Sequence, residues 1–220
     1  MATSYIKRFL ICIFSLAVFS LGNICSVLAG SAGTNAWGTL AIGLSGASGI
    51  SFGTATLMIS IAIVTIDILL KGKIGFGTLL NAALIPFFSD LYLRFLTFTA
   101  STQFTGAIIS LTGQIILSFA GIAYMSPNLG AGPRDTLMIV VGKRFPKAPI
   151  GLVKFGLEIS ALLTGVLLGA PFGLGTVLSI ALQSTIFQFA CRICRYEPRN
   201  AAHEDVIYTL RRMFSSKETP

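Results

Sequence analysis

The sequence predicts an all-α fold, that of a polytopic helical membrane protein built from two internal repeats. Composition is the first observation behind this prediction. Of the 220 residues, 54% are hydrophobic and only 11% are charged, and the mean hydropathy is +0.82. A soluble domain carries about 25% charged residues, so this chain has too few to cover a surface that faces water. Lipid is therefore its expected surroundings.

The second observation is a set of six apolar runs, each close to the ~20 residues that one membrane span requires. They cover about residues 6–29, 52–70, 76–93, 104–124, 150–169 and 172–190. Backbone in lipid must satisfy its own hydrogen bonds, so we expect each run to be a helix. Lys7 and Arg8 lie at the start of the first run, and the apolar stretch that follows them is longer than the core of a signal peptide. We interpret it as a retained span.

The third observation is an internal repeat, which divides the membrane domain (1–191) into units at about 6–95 and 104–191. The segment GTNAWGTL at Gly33–Leu40 resembles GAGPRDTL at Gly130–Leu137, 97 residues later. GFGTLL at Gly75–Leu80 likewise resembles GLGTVL at Gly173–Leu178, 98 residues later. The glycines of these turns and corners are expected to be structural, and they are Gly33, Gly53, Gly75, Gly77, Gly130, Gly173 and Gly175.

Each unit also contains a short helix, predicted at Asn35–Ser45 and Pro133–Arg144. At 1.5 Å per residue, each is about 16–18 Å long, whereas a hydrocarbon core is about 30 Å thick. The short helices are therefore either re-entrant or interfacial. If they do not cross, the chain has six spans in two inverted repeats. If they do cross, it has eight spans in parallel repeats.

Basic residues favour the six-span alternative. With the N-terminus inside, it leaves only Arg94 outside and places both termini in the cytoplasm of a bacterial inner membrane. The cytoplasmic residues would be Lys7, Arg8, Lys71, Lys73, Arg134, Lys143, Arg144, Lys147 and the tail. The net charge of +8 is thus a topology signal, and we expect no binding of nucleic acid.

Residues 192–220 form a polar tail. Asn200 can cap a helix, and Val206, Leu210 and Met213 recur at helical spacing, as do Ile207 and Phe214. Arg211 and Arg212 follow near its end. The pattern indicates a basic amphipathic helix on the inner leaflet, with a frayed tail as the alternative.

These motifs resemble the YczE/YitT-like family of bacterial integral membrane proteins, most closely its YczE branch. The resemblance rests on Gly33, Trp37 and Leu40 in the first turn, and on Gly130, Pro133, Asp135 and Leu137 in the second. It also rests on the entry to the second span and on the following corner, at Gly49, Ser51, Gly53, Thr54, Gly75, Gly77, Thr78 and Leu79. It covers about residues 6–191 and implies the fold of the family, but no reaction.

Ionisable groups inside a span are costly, at about 2.5–3.5 kcal/mol each on insertion scales, so they are candidates for function. Lys154 and Glu158 lie one helical turn apart in the fifth run, at a spacing that lets their side chains pair. They are predicted either to bind an ion or polar solute or to form a self-neutralising structural pair. Asp90 with Arg94, and Asp67 with Lys71, have the same spacing and are expected to be structural pairs near the ends of spans.

The turns before the short helices are the other candidates. Broken helices in transporters direct their N-termini at anionic groups. Arg134 and Asp135 follow Pro133 in the second turn, while Asn35 and Trp37 begin the first short helix. The two turns are predicted to share a binding site, with tight helix packing as the alternative; Trp37 could equally be an interfacial anchor.

Signatures of enzymes are missing from the sequence. The only histidine, His203, lies in the tail, and no phosphate-binding loop is present. The Cys191–Cys194 pair is a lone CxxC, which is weak evidence for a metal. We therefore expect no catalytic residues, metal or cofactor.

The leading hypothesis is a small transporter or channel-like carrier of a small polar solute or ion. The alternative is a membrane scaffold or accessory protein for a partner enzyme, contacted through the tail. The glycine-rich faces would also permit a homodimer.

Overall fold

A computed structural model describes residues 2–148, 150–196 and 203–215. These residues form nine α-helices joined by short turns, which confirms the predicted all-α class. In chain order they are α1 (Ala2–Leu28), α2 (Ala36–Ser48), α3 (Phe52–Leu69), α4 (Phe76–Phe95), α5 (Gln103–Met125), α6 (Pro133–Arg144), α7 (Ile150–Leu167), α8 (Leu174–Cys194) and α9 (Val206–Ser215).

Four of the described helices are long and apolar enough to cross a membrane, namely α1, α3, α4 and α5. A fifth is added if the two segments of α8, which meet at a bend of 46°, form one span. The outer surfaces of these helices expose large apolar side chains, such as Phe14 at 72% and Phe104 at 73%. A water-soluble surface would bury such groups, so the bundle contacts a lipid bilayer. That α7 also crosses the membrane stays a prediction.

The order of long, short, long and long helix occurs twice, in α1–α4 and in α5–α8. Helices α1 and α5 pack against each other at the centre, with α4 beside α1 and α8 beside α5. Each short helix packs against the other half of the chain, α2 against α7 and α6 against α3. The contacts of one half therefore correspond to those of the other.

The two glycine turns lie on the corners of the opposite half. Gly33 pairs with Phe172 in an isolated β-bridge, and a Cβ at Gly33 would clash with the Thr176 hydroxyl. Gly33 also has φ +81°, a conformation that favours glycine. In the reciprocal contact, Gly77 N donates to Leu129 O at 2.7 Å. In this second contact, between the corner before α4 and the turn before α6, the Thr78 hydroxyl also donates to the Ala131 carbonyl.

Helix ends follow from local capping. The Asn35 side chain accepts from Gly38 N at 2.8 Å and starts α2, which continues to Ser48, three residues beyond its predicted end. Pro133 is the first residue of α6, where its missing N–H costs nothing. Asp205, whose carboxylate accepts from Tyr208 N at 2.6 Å, caps α9. Asn200, the predicted cap of this helix, lies outside the described residues.

The tail folds back onto the end of the bundle that holds the start of α1. Arg8 forms an ion pair with Glu204 at 2.9 Å and donates to Pro127 O at 2.7 Å. Glu204 N donates to Asn128 O, and Val206 N donates to Ile74 O, both at 3.0 Å. The N-terminus, the corner before α4, the turn before α6 and the tail consequently lie on one face.

Two predicted ion pairs are wrong. Asp90 accepts from Gly53 N at 2.6 Å and from the Ser51 hydroxyl, so it caps α3 across the α3–α4 contact instead of pairing with Arg94. Asp67 is fully buried and neither of its oxygens has a hydrogen-bond partner among the described residues, while Lys71 is exposed. The left-handed backbone of Lys71 (φ 60°) ends the helix there, so the i,i+4 geometry is lost.

Candidate functional site

A cavity of about 640 Å³ lies between the two halves of the bundle. Every helix from α1 to α8 supplies lining residues, and so does the start of the tail. The volume is within the range of about 300–1,000 Å³ that is usual for sites of small organic ligands. All six residues predicted to bind a solute or ion line this one cavity: Asn35, Trp37, Arg134, Asp135, Lys154 and Glu158.

The N-terminal ends of the two short helices meet in this cavity. The Arg134 guanidinium lies over the Trp37 ring, 4.9 Å from its centre. Trp37 and Arg134 are 97 residues apart, the offset of the repeated turns, so they occupy equivalent positions in the two units. The ion pairs found among the described residues do not include Arg134. Its hydrogen-bond donors are thus available to a group in the cavity.

Asp135 follows Arg134 in the first turn of α6, where the helix dipole favours a carboxylate. One of its oxygens accepts a hydrogen bond from the Tyr124 hydroxyl at 3.2 Å. Tyr124 in turn accepts from Gly132 N at 3.2 Å, which fixes the turn that precedes α6. The carboxyl group is therefore held in place at the cavity wall by a neutral donor.

Lys154 and Glu158 form the predicted pair, with 3.9 Å between the Lys154 amine and the Glu158 carboxylate. Glu158 is the more buried of the two, with 14% of its side chain exposed. Thr56 and Ser60 also line the cavity and precede this pair by 98 residues each, the offset of the repeated corners. The second unit thus supplies charges where the first supplies hydroxyls.

Asn35 has a mainly structural role in this geometry. Its side-chain carbonyl caps α2, and its amide donates to Asn23 Oδ1 at 3.2 Å in the wall of the cavity. Both ends of the amide are therefore engaged by the protein itself. The amide keeps a second N–H and a second lone pair, so binding of a solute by Asn35 stays a prediction.

Several lining residues were missed by the sequence analysis. Asn81 and Gln183 carry side-chain amides inside apolar runs, and their polarity was a usable signal because neutral polar groups in spans also seek partners. Tyr196 and His203 reach the cavity because the tail folds back. No sequence motif predicts that these two residues line the cavity. Burial lowers the pKa of His203, an effect that the nearby Asp135 carboxylate partly offsets.

The predicted structural glycines lie around the cavity and not in its wall. A Cβ at Gly75 would clash with Leu129 O, and one at Gly173 would come within 2.6 Å of Ser31 O. Such contacts with backbone cannot be relieved by rotating a side chain, so glycine permits this close packing. Within the described part of the chain, no cluster of three or more potential ligands is placed to hold a metal ion.

Comparison with known proteins gives the chain a family. The pattern of a family described as "Family of unknown function (DUF6198)" matches residues 6–192. A protein of Haemophilus influenzae, named "Uncharacterized protein", is 34% identical over 191 residues, which cover 87% of this chain and 86% of the relative. The "Uncharacterized membrane protein YczE" of Bacillus subtilis is 35% identical over 115 residues, 52% of each chain. No solved structure matches. The resemblance to YczE-like membrane proteins is confirmed.

Proposed function

The chain belongs to the DUF6198 family of unknown function, and we propose that this member carries a small polar solute or ion across the membrane. The observation that carries the proposal is the shared cavity, in which Arg134, Asp135, Lys154 and Glu158 surround a space between the two units. Charged groups inside a helical bundle are expensive, and their usual place is on the path of a substrate or ion.

The arrangement of the helices supports the same proposal. Two short helices begin beside the cavity, as the half-helices of many secondary transporters begin beside a substrate. The two halves have corresponding contacts, so a rocking motion of one half against the other would leave the cavity at their common boundary. The lining includes Tyr196 and His203, so the tail borders the cavity on that face.

The proposal includes an orientation. The face that holds Arg8, the corner with Lys71 and Lys73, and the tail would be cytoplasmic, in a bacterial inner membrane. These basic residues lie on one face because the tail contacts both Arg8 and Ile74, and positive residues favour the cytoplasmic side. The six-span alternative, with short helices that do not cross, brings these segments together.

Proteoliposomes containing the purified protein test the function. We expect uptake of at least one solute or ion from a broad panel, and at least a tenfold loss of uptake for Glu158→Gln. Lys143→Gln is the matched control, since it also removes one charge but lies on an exposed part of α6 away from the cavity. Absence of flux across the whole panel, in vesicles with intact folded protein, would contradict the proposal.

A second candidate function is that of an accessory protein whose tail contacts a partner. The observation that favours it is the exposed apolar face of α9, where Ile207 is 70% and Tyr208 is 52% exposed. Ile207→Ser separates the candidates: an accessory role loses capture of its partner, whereas a carrier keeps its solute binding, because Ile207 is exposed and does not line the cavity.

A further inference from the structure

The charges in the cavity define a class of solute. Building on the proposed function, we infer that the solute is a small zwitterion with an apolar body, whose carboxylate binds Arg134 and whose ammonium group binds Asp135. The two residues are adjacent in α6 and both line the cavity. The inference depends on how the four charges are partnered.

Arg134 supplies the carboxylate subsite. A guanidinium is a planar fork that matches the two oxygens of a carboxylate. The face of the Arg134 fork is covered by Trp37, so its donors lie along the edge. None of the described carboxylate oxygens lies within 4.0 Å of it. A buried guanidinium that stacks on an aromatic ring and has no direct ion-pair partner keeps unused donors, and a carboxylate can accept from them.

Asp135 supplies the complementary subsite. The Tyr124 hydroxyl occupies one of its oxygens at 3.2 Å, and none of the described basic groups pairs with the carboxylate. An ionised carboxylate can accept several hydrogen bonds, so acceptor sites remain for an ammonium group. Lys154 does not fill them, because its amine faces Glu158 at 3.9 Å.

The balance of charge in the cavity favours a zwitterion over a simple anion. Lys154 and Glu158 compensate each other, which leaves one cation and one anion, Arg134 and Asp135, facing the space. A simple carboxylate would leave Asp135 uncompensated in a site with low dielectric constant. A phosphate would add a second negative charge near Asp135 and Glu158. A molecule with one charge of each sign keeps the cavity neutral.

The apolar part of the remaining wall can accommodate an apolar body. Phe19, Leu117, Met125, Leu157 and Phe187 line the cavity together with the ring of Trp37. Burying an aromatic or branched aliphatic group there gains free energy without polar partners. Phenylalanine has the three required parts: a carboxylate, an ammonium group and an apolar body. Analogues that lack one of the charged groups test each part separately.

The experiment measures the unfolding temperature of the purified full-length chain in detergent with millimolar L-phenylalanine, 3-phenylpropionate or phenethylamine. We expect phenylalanine to raise the midpoint by about 2–4 °C at saturation, with affinities at least about tenfold weaker for the two analogues. Arg134→Gln and Asp135→Asn should abolish the shift, and Lys143→Gln should keep it.

Arg134→Lys is included in case the glutamine variant does not fold. It keeps the charge and loses the fork, so phenylalanine should bind at least about fivefold more weakly than to the native chain. Equal stabilisation by 3-phenylpropionate, or a phenylalanine shift that persists in Asp135→Asn, would overturn the inference. A full panel without binding, beside measurable flux of another solute, would also overturn it while leaving the carrier function in place. Binding of phenylalanine without flux of any solute would support the inferred ligand and contradict the carrier function.

Discussion

The Arg134 guanidinium lies 4.9 Å from the centre of the Trp37 ring, and these two residues occupy equivalent positions of the two repeats. The contact joins the first turns of α2 and α6, the short helix of each repeat, and neither helix is long enough to span a bilayer. Two tryptophans at these positions would lack a charge, and two arginines would repel each other. The difference between the copies thus creates the attraction, and it also makes the cavity asymmetric.

This contact should be measurable as stability. Trp37→Leu removes the aromatic face but keeps apolar volume, whereas Trp37→Phe keeps a face for the cation. We expect the free energy of unfolding in mixed detergent to be about 1–2 kcal/mol lower for the leucine variant than for the phenylalanine variant. The gap should close when Arg134 is replaced by glutamine in both backgrounds. An unchanged gap would mean that the cation contributes nothing.

The packing of α2 on α7 can be tested with two glycines of the same helix. A Cβ at Gly165 would lie 2.5 Å from the backbone carbon of Thr39, whereas one at Gly156 would meet nothing within 4 Å. Gly165→Ala should therefore lower the free energy of unfolding by about 1–3 kcal/mol. Gly156→Ala should not lower it, and should raise it by up to about 1 kcal/mol, because alanine favours a helix interior. Equal effects of the two substitutions would contradict the close approach of the helices.

Asp90 and Arg94 give a test of capping against ion pairing. Because Asp90 accepts from Gly53 N and the Ser51 hydroxyl, Asp90→Ala should cost about 1–2 kcal/mol of stability. Arg94 is exposed and does not pair with Asp90, so Arg94→Gln should cost less than about 0.5 kcal/mol. Thermal or detergent unfolding of the two variants distinguishes capping from ion pairing. Equal losses of stability would support the ion pair.

Docking of the tail depends on Glu204, which holds Arg8 and accepts from Thr209 Oγ1 at 2.9 Å. In a background without the native cysteines, a cysteine at Thr209, which is fully buried, should react slowly with a maleimide. Glu204→Gln should raise that rate about tenfold or more. A cysteine at Tyr208, which is 52% exposed, is the control and should react quickly in both backgrounds. Fast labelling at Thr209 in the native background would rule out a docked tail.

Docking should also depend on pH. Burial lowers the pKa of His203 from its ordinary value of 6.5, so the undocked tail takes up a proton at a higher pH than the docked tail does. Docking is therefore fully stable above about pH 6.5 and weakens as the pH falls from there toward the lowered pKa. The ratio of labelling at Thr209 to labelling at Tyr208 should rise between pH 7.5 and pH 5.5. His203→Gln should remove the rise, and a ratio that is insensitive to pH in the native chain would contradict the burial of His203.

The predictability of the molecule varied with the range of the interactions. Local patterns were sufficient for the helices: apolar length fixed α1, α3, α4 and α5, and Pro133 marked the start of α6. The i,i+4 spacing also identified the Lys154–Glu158 pair. The same spacing failed for Asp90, because a backbone N–H from α3 offered a better partner across a helix contact. Sequence distance carries no information about such a neighbour.

The candidate site shows the same limit. Arg134, Asp135, Lys154 and Glu158 stood out because charge is rare in an apolar chain, and the repeat related Trp37 to Arg134. Tyr124, Gln183 and His203 did not stand out, because their presence in the wall depends on helix rotation and on a tail that returns over a distance. The ring of a tyrosine is common in positions that face lipid or neighbouring helices. The amide of a glutamine inside a span indicates that it has a polar partner, but not which one.

Each glycine turn packs on a corner of the other unit, and this has a consequence for a chain that consists of one unit alone. Gly33 rests on the corner before α8, and Gly77 receives the turn before α6, so neither unit provides the seat for its own turn. A protein consisting of one unit would leave that surface bare, and a second molecule of it would supply what is missing. In this respect the chain is a tethered pair of subunits. Cutting the link between α4 and α5 should leave two fragments that recognise each other when produced in the same cell.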